Sequence, residues 1–400
     1  MWFEREISPY VRRAVESRPA VVMTGARQTG KTSLLRRLFP HFHFISLDLP
    51  SDAELAIHDP SAFLVAHPPP VLIDEVQYAP NVFRHIKAVV DRDRSKTGLF
   101  LLTGSQRYGL MQEVSESLAG RVEILELEPL SLFEIGHAKR PPGIEAVVLR
   151  GGYPELYQTP GLDSFLYYRS YIAAYLERDV RNILNVGSLR DFERFLRACA
   201  LRSGQLLNKS DLARDVGISP STAGEWISTL QASGQIYLLE PWFSSRTKSI
   251  YKSPKLYLAD TGLLTALLNI QSVEEMMRSP LVGPIWETFV FAELRKREMA
   301  RTGRWAIHFW SDRRREVDFI IDRGGRLEMY EAKWTQHPDR DDTEHLRHLR
   351  EMAGANVVDR LSVVCRAPRT YPLEDGVSAL SAYDLRAQVA VKPERRGAPR

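Results

Sequence analysis

Residues 25 to 32 read GARQTGKT, a full match to G-x-x-x-x-G-K-[ST], placed after an apolar stretch and before an amphipathic one. The chemistry of that spacing is phosphate binding. Gly25 and Gly30 let the backbone curl so that the N–H groups of Ala26, Arg27, Gln28, Thr29 and Gly30 gather around a phosphate. Lys31 supplies positive charge to the β and γ phosphates, Thr32 offers a hydroxyl to Mg²⁺, and Ser33 follows at the start of a helix whose partial positive end favours the anion. Such a site needs an apolar strand that ends in acid, and residues 70 to 75, PVLIDE, supply one. Asp74 is expected in the Mg²⁺ shell, and Glu75 as the base that orients and deprotonates the attacking water. A further apolar run, GLFLLTGSQ, ends in Thr103 and Ser105, a polar tip suited to sensing the γ-phosphate.

A second group of chemistry-bearing residues lies near the other end. The stretch EVDFIIDRGGRLEMYEAKW, residues 316 to 334, reads as two strands around a Gly-Gly turn and carries Asp318, Glu331 and Lys333. Positions i and i+2 of a strand share a face, so Glu331 can hold a metal while Lys333 steadies the attacking water or the developing phosphorane charge. Asp318 on the neighbouring strand can complete the cage. Around these residues the order is a helix (283 to 298), strands near RWAIHFW, EVDFIID and RLEMYEAK, a helix TEHLRHLREMA and a strand LSVVC. This α-β-β-β-α-β order resembles the restriction-endonuclease-like fold of the PD-(D/E)xK group. The resemblance implies Glu287 of the first helix as a further metal acid. Val317 stands where the group's leading proline would be. The same fold also serves as a binding or oligomerisation platform, so cleavage and binding both remain open. Arg313, Arg314 and Arg315 just upstream suit a phosphate clamp or a solvated turn.

These residues require elements to position them. From about 18 to 130, PAVVMTG, HFHFISLDL, PPVLIDE, GLFLLTGS and RVEILELE alternate with helical segments such as KTSLLRRLF and NVFRHIKAVVDRD, the pattern of a parallel sheet covered by helices. Residues 136 to 195 read as a helical lid or connector. In LLNKSDLARDVGISPSTAGEWISTLQASGQIYLLEPW, Asn208 or Ser210 caps a short helix, Gly217 ends it, and Ser219 with Pro220 starts a second. With QIYLLEPW and SPKLYLAD as a hairpin, residues 196 to 265 have the order of a winged helix. Arg246, Lys248 and Lys252 fall on the hairpin loop, where phosphates could be met. The second helix shows Ser219, Ser221, Thr222 and Glu225, without a lysine or arginine to read a base edge. DNA contact and a protein-binding role are both compatible with this segment. The chain thus divides into an α/β nucleotide-binding core (1–135), a connector (136–195), a winged-helix segment (196–265), a C-terminal α/β domain (280–370) and a disordered tail (385–400).

Composition narrows the remaining choices. With 54 Lys and Arg against 50 Asp and Glu, the net charge is +4, so a nucleic-acid surface must come from local clustering. Two cysteines, Cys199 and Cys365, without a CxxC, argue against a disulfide framework or a cysteine zinc site. No apolar run approaches the ~20 residues of a membrane span. MWFEREISPYVRR lacks a signal-peptide core, and a cytoplasmic location is expected.

GARQTGKT, LIDEVQ, LLTGSQ and LAGRVEILELEPLSLFEI together resemble the prokaryotic AAA-type ATPases that carry a C-terminal domain of uncharacterised role. The resemblance runs from residue 1 to at least 335. It implies ATP as the nucleotide with Mg²⁺, hydrolysis, and a homo-oligomeric ring or partial ring in which a neighbour's arginine completes the site. Arg121 of LAGRV is the candidate for that role, with Arg107 and Arg178 as others. The expected function is an ATP-driven protein that acts on DNA, the alternatives being an ATP-controlled metal-dependent nuclease and a nucleotide-gated scaffold that never touches DNA.

Overall fold

A computed structural model describes residues 1–104, 118–138, 143–175, 189–243, 253–312 and 314–386. Ser105, Arg107, Arg178, Arg246, Lys248, Lys252, Arg313 and the tail from 387 lie outside the described residues. The chain forms two compact units, Met1–Phe309 and Trp310–Arg400.

The first unit is organised by a five-stranded sheet of β1 (Ala20–Thr24), β2 (His43–Ser46), β3 (Val71–Asp74), β4 (Phe100–Thr103) and β5 (Val122–Glu126), in the order β2-β3-β4-β1-β5. All four pairings are parallel. β1, β3 and β4 are buried along their whole length, which is why they read as unbroken apolar runs. Alternate residues feed opposite layers. Ala20 and Val22 join Ile73, Leu102 and the helices Pro60–Ala66 and Val82–Arg92. Val21 and Met23 join Leu72, Leu101 and the helices Ser8–Ser17 and Lys31–Leu38. Because the strands are parallel, Gly25, Glu75 and Gly104 all leave the sheet at one edge, where ligands bind in such sheets.

Helices Ile144–Arg150, Pro154–Gln158 and Ser164–Tyr175 follow. Next come helix Leu189–Ala200, β6 (Gln205–Leu206), helices Lys209–Val216 and Pro220–Ala232, β7 (Ile236–Leu239) and β8 (Lys255–Leu258). Asn208, not Ser210, caps the first short helix, accepting from the N–H groups of Ser210 and Asp211. Gly217 ends it at φ 85°, and the Ser219 hydroxyl caps the next helix by accepting from Thr222. Trp226 packs between Phe192 and Phe195 at ring distances of 5.0 and 5.2 Å, and β6-β8-β7 form an antiparallel sheet.

The 21-residue helix Val282–Thr302 also belongs to the first unit. Charge binds this helix inward. Arg295, fully enclosed, makes a two-pronged ion pair with Glu128 at 2.7 and 2.6 Å, and Glu293 accepts from the Leu132 N–H at 2.9 Å.

The second unit holds β10 (Glu316–Asp322), β11 (Leu327–Ala332), helix Glu344–Ala353, β12 (Val358–Cys365), β13 (Tyr371–Pro372) and β14 (Val377–Ser381). With β9 (Ile307–Ser311), in which the division between units falls, the sheet order is β13-β14-β12-β11-β10-β9. β10 and β11 form an antiparallel hairpin whose turn carries Gly324 and Gly325 at φ 66° and 89°, and β11, β12 and β14 run parallel. β14 and β13 extend the order expected from sequence. Among the described residues, no helix is long and apolar enough to cross a membrane.

Candidate functional site

The loop after β1 is shaped by backbone conformations that few side chains allow. Gly25 has φ 134°, and a Cβ there would lie 2.3 Å from the Leu127 carbonyl oxygen. Gly30, at φ 92°, opens the helix Lys31–Leu38. Gln28 adopts φ 62° and accepts a hydrogen bond from the Tyr167 hydroxyl at 2.7 Å. Arg5 donates to the Thr29 carbonyl at 2.9 Å, and the Thr29 hydroxyl donates to the Ala26 carbonyl at 3.0 Å. Lys31 is only 7% exposed, and its ammonium donates to the carbonyls of Gly25 and Ala26 at 3.0 and 2.9 Å. A buried cation thus sits inside a loop whose backbone curls around it.

The ends of β3 and β4 meet this loop. Asp74 Oδ1 accepts from the Thr32 hydroxyl at 2.6 Å and also from the Thr103 hydroxyl. Thr103 Oγ1 in turn accepts from the Glu75 N–H at 3.3 Å. Glu75 takes a left-handed conformation, φ 52° and ψ 46°, which an L-residue holds at an energetic cost. The donor set at this point is a hydroxyl and a carboxylate, hard oxygens that suit Mg²⁺. Among the described residues no group of three or more His, Cys, Asp or Glu is disposed to hold a metal. Mg²⁺ takes one or two protein oxygens and completes its shell with water and substrate phosphate.

A cavity of about 730 Å³ opens beside Lys31, Thr32, Ser33 and Glu75, and its far wall is Leu166, Tyr167 and Tyr171 from the helix Ser164–Tyr175. Its size is in the range of small-molecule sites. The Tyr171 hydroxyl accepts from Tyr153 at 3.0 Å and from Gln235 at 3.0 Å. Gln235 lies between the helix Pro220–Ala232 and β7, so one tyrosine touches both the cavity and the helix-hairpin segment. Sequence reading did not assign Tyr167 or Tyr171 to the site. The aromatic spacing at 167, 168 and 171 was its only trace, and it marks a packed helix equally well.

In the second unit, Lys333 Nζ lies 3.2 Å from Glu331 Oε1 and 4.0 Å from Asp342 Oδ1. Asp318 Oδ2 accepts from the Ala332 N–H at 2.8 Å. Burial works to lower the Lys333 pKa, and Glu331 and then Asp318 outweigh it, holding the ammonium above the ordinary lysine range. Asp342 was not among the residues expected here. Upstream, the N–H groups of Arg314 and Arg315 both donate to Asp312 Oδ1 at 2.7 Å, which makes that stretch a capped turn. Glu287 lies in the first unit, where its Oε1 accepts from Lys255 at 3.0 Å and from the Tyr257 hydroxyl at 2.5 Å. It is engaged there in an ion pair with Lys255.

Residues 17–136 match an AAA domain. Residues 142–274 and 282–385 match two domains of unknown function, DUF8612 and DUF4143. The uncharacterized proteins Rv2008c of Mycobacterium tuberculosis and Mb2031c of Mycobacterium bovis are each 30% identical over 384 residues, 95% of this chain and 84% of their own. The chain belongs to their family. Its N-terminal part is an AAA-type P-loop ATPase domain. A solved structure of the Walker-type ATPase PABY2304 of Pyrococcus abyssi covers 67% of this chain and 96% of its own, at 18% identity and a TM-score of 0.46.

Within the AAA domain, Arg121 precedes β5, at the sheet edge opposite the P-loop. It is clamped there by Asp91, Nε to Oδ1 at 2.7 Å and a terminal nitrogen to Oδ2 at 3.0 Å. The side-chain hydrogen bond from Arg121 holds the exposed Asp91 carboxyl below its ordinary range. For Arg121 to complete the ATP site of a neighbouring subunit, as the sequence suggests, the guanidinium would have to leave this carboxylate of its own chain.

Proposed function

We propose that the chain binds ATP with Mg²⁺ and hydrolyses it, and that the nucleotide state is passed to the helix-hairpin segment, which contacts DNA as a winged helix. The observation that carries hydrolysis is the linked line Thr32, Asp74, Thr103 and Glu75 beside a buried Lys31. Residues 25–33 cradle the phosphates, with Lys31 leaving its loop carbonyls for the β and γ oxygens. Thr32 and Asp74 hold the metal, which when bound neutralises charge on those oxygens. Asp74 and Thr103 are tied together so that the Glu75 backbone is fixed at the strand end, and Glu75 takes the proton of the attacking water. Ser105 keeps its proposed sensing role.

The test uses purified full-length chain. Lys31→Ala is expected to lose binding of a fluorescent ATP analogue, whereas Glu75→Gln binds it and does not turn over. Equal hydrolysis by wild type and Glu75→Gln would remove Glu75 as the base.

Contact with DNA is supported by the order of the segment, with Asn208 and Ser219 capping two short helices ahead of a β7–β8 hairpin. A second reading, metal-dependent nucleic-acid cleavage, is favoured by the gathering of Asp318, Glu331 and Lys333 on the β10–β11 hairpin and its end.

A further inference from the structure

On the sheet face covered by helices Ser8–Ser17 and Lys31–Leu38, four aromatic rings belong to one apolar cluster. Phe39 is buried in it, and Trp2, Tyr10 and Phe44 pack against it. An arginine lies over each ring. The guanidinium carbon stands 4.8 Å from the ring centre for Arg37 on Trp2, 5.3 Å for Arg13 on Tyr10, 5.9 Å for Arg12 on Phe39 and 4.5 Å for Arg36 on Phe44. A guanidinium held by its flat face keeps its N–H edge for other partners. All four arginines are exposed. Arg12 donates one N–H to the Leu38 carbonyl at 3.4 Å, and Arg37 donates one to Glu4 at 3.4 Å. Among the described residues Arg12, Arg13 and Arg36 form no ion pair. Within residues 1 to 38 the exposed carboxylates are Glu4 and Glu16, and the half-buried Glu6 accepts from the Ser131 hydroxyl at 2.7 Å.

Helix geometry explains only part of this arrangement. Arg36 and Arg37 lie in the last turn of their helix, where cations suit the carbonyl end, but Arg12 and Arg13 sit mid-helix. We propose that this arginine face binds the phosphate backbone of duplex DNA. The contact is separate from the winged-helix contact proposed above and goes beyond it. Three observations choose the partner. The net charge of the whole chain is only +4, so a polyanion must be met by a local cluster such as this one. None of the exposed large apolar side chains lies on helices Ser8–Ser17 or Lys31–Leu38, so the face lacks the apolar centre of a protein–protein interface. The rings are packed on the cluster and covered by guanidiniums, which leaves no platform for unpaired bases and favours a duplex over a single strand. The helix Lys31–Leu38 carries Lys31 and Thr32 at its start and Arg36 and Arg37 in its last turn. A duplex held here therefore lies one helix length, about 12 Å, from the nucleotide loop.

The test is fluorescence anisotropy of labelled random-sequence duplex and single-stranded DNA with the full-length chain over a salt series. The triple variant Arg12→Gln, Arg13→Gln, Arg36→Gln removes three phosphate partners and leaves the P-loop untouched. Its duplex affinity at low salt is expected to fall about 10- to 100-fold, and the slope of log affinity against log salt to shrink by about 2 to 3, since each phosphate contact contributes about 0.9. The same three positions changed to lysine keep the charge and should keep affinity within about 5-fold. Melting temperature and basal ATP turnover are expected to match wild type in both. A control variant, Arg84→Gln, Arg94→Gln, Arg278→Gln, removes equal charge from exposed positions elsewhere in the same unit and should stay within about 2-fold. An equal loss in that control would assign the effect to total charge and overturn the proposal. Wild-type affinity in the Arg12, Arg13, Arg36 glutamine variant, or loss of binding in its lysine counterpart, overturns this surface and leaves the winged-helix reading standing. Absence of duplex binding by wild type at low salt overturns both. Tighter binding of single strands overturns the choice of duplex. Poly-glutamate or phosphatidylserine vesicles bound more tightly than duplex at the same salt, through the same arginines, overturn DNA as the partner in favour of an acidic protein or a lipid surface.

Discussion

Thr103 does two things with one oxygen. It donates to Asp74 and accepts from the Glu75 N–H, so the proposed metal ligand and the proposed base are aligned by a single hydroxyl at the end of β4. Thr103→Val keeps the β-branched shape that suits a buried strand and deletes both bonds. The Glu75 N–H is then left without that acceptor in a conformation that already stores strain. A fall in kcat of about 10-fold is expected, with nucleotide affinity nearly unchanged because the loop and Lys31 are untouched. Measuring kcat and analogue affinity side by side checks it, and an affinity loss as large as the kcat loss would move Thr103 from alignment to binding. At this scale much of the site could be read from sequence. GARQTGKT and LIDE carry their chemistry in residue type and spacing, since a phosphate needs glycines and a lysine in one order. Tyr167 could not be read this way. It reaches the loop through a contact with Gln28, more than a hundred residues away in the chain.

At the scale of elements, the helix Val282–Thr302 is fixed to the end of β5 by the pair of Arg295 and Glu128, both buried. Burial alone would raise the Glu128 pKa, and the Arg295 guanidinium reverses this, holding the carboxyl below its ordinary value of 4.5. A depressed carboxyl contributes stability that is fully present above the unfolded pKa and is lost as pH falls through the folded one. The loss should therefore be seen below about pH 4.5. Arg295→Met leaves a buried carboxylate without its cation and is expected to destabilise the first unit by about 3–5 kcal/mol at pH 7, read from the urea midpoint. Adding Glu128→Gln should recover part of that loss and flatten the acid limb. No recovery in the double variant would mean that Arg295 acts through packing against Tyr237, whose ring it covers at 3.5 Å. The strands of the AAA domain were legible because parallel, doubly covered strands are apolar throughout. The placement of Val282–Thr302 was not. Its apolar residues give it an inner face, and polar side chains such as Arg295, Glu293 and Glu287 specify which partners that face meets.

For the whole molecule, the claim to be tested is that the nucleotide site and the helix-hairpin segment work as one. The contact that joins them is Tyr171, which lines the cavity and accepts from Gln235. Gln235 sits where the helix Pro220–Ala232 turns into β7, so a shift of that helix is felt at the cavity wall, and the reverse holds by linkage. Gln235→Leu removes the donor and keeps the volume. Basal ATP turnover is expected to stay within about 2-fold of wild type, since no phosphate or metal group is touched, whereas stimulation by duplex DNA is expected to disappear. The assay is steady-state ATP hydrolysis at low and moderate salt, with single-stranded, duplex and branched DNA, because contact with phosphates weakens steeply as salt rises. If no DNA form changes wild-type turnover or binds at low salt, the winged-helix reading gives way to that of a nucleotide-gated protein scaffold. Labelled DNA in the same reactions, with Mg²⁺ or Mn²⁺, tests the second unit. Asp318→Ala and Lys333→Ala should each abolish any cutting while ATP turnover persists, because these residues lie in the other compact unit. Cutting that survives both substitutions would assign the activity to a contaminant or to another site. Joint loss of cutting and turnover would indicate that the substitution disturbs folding.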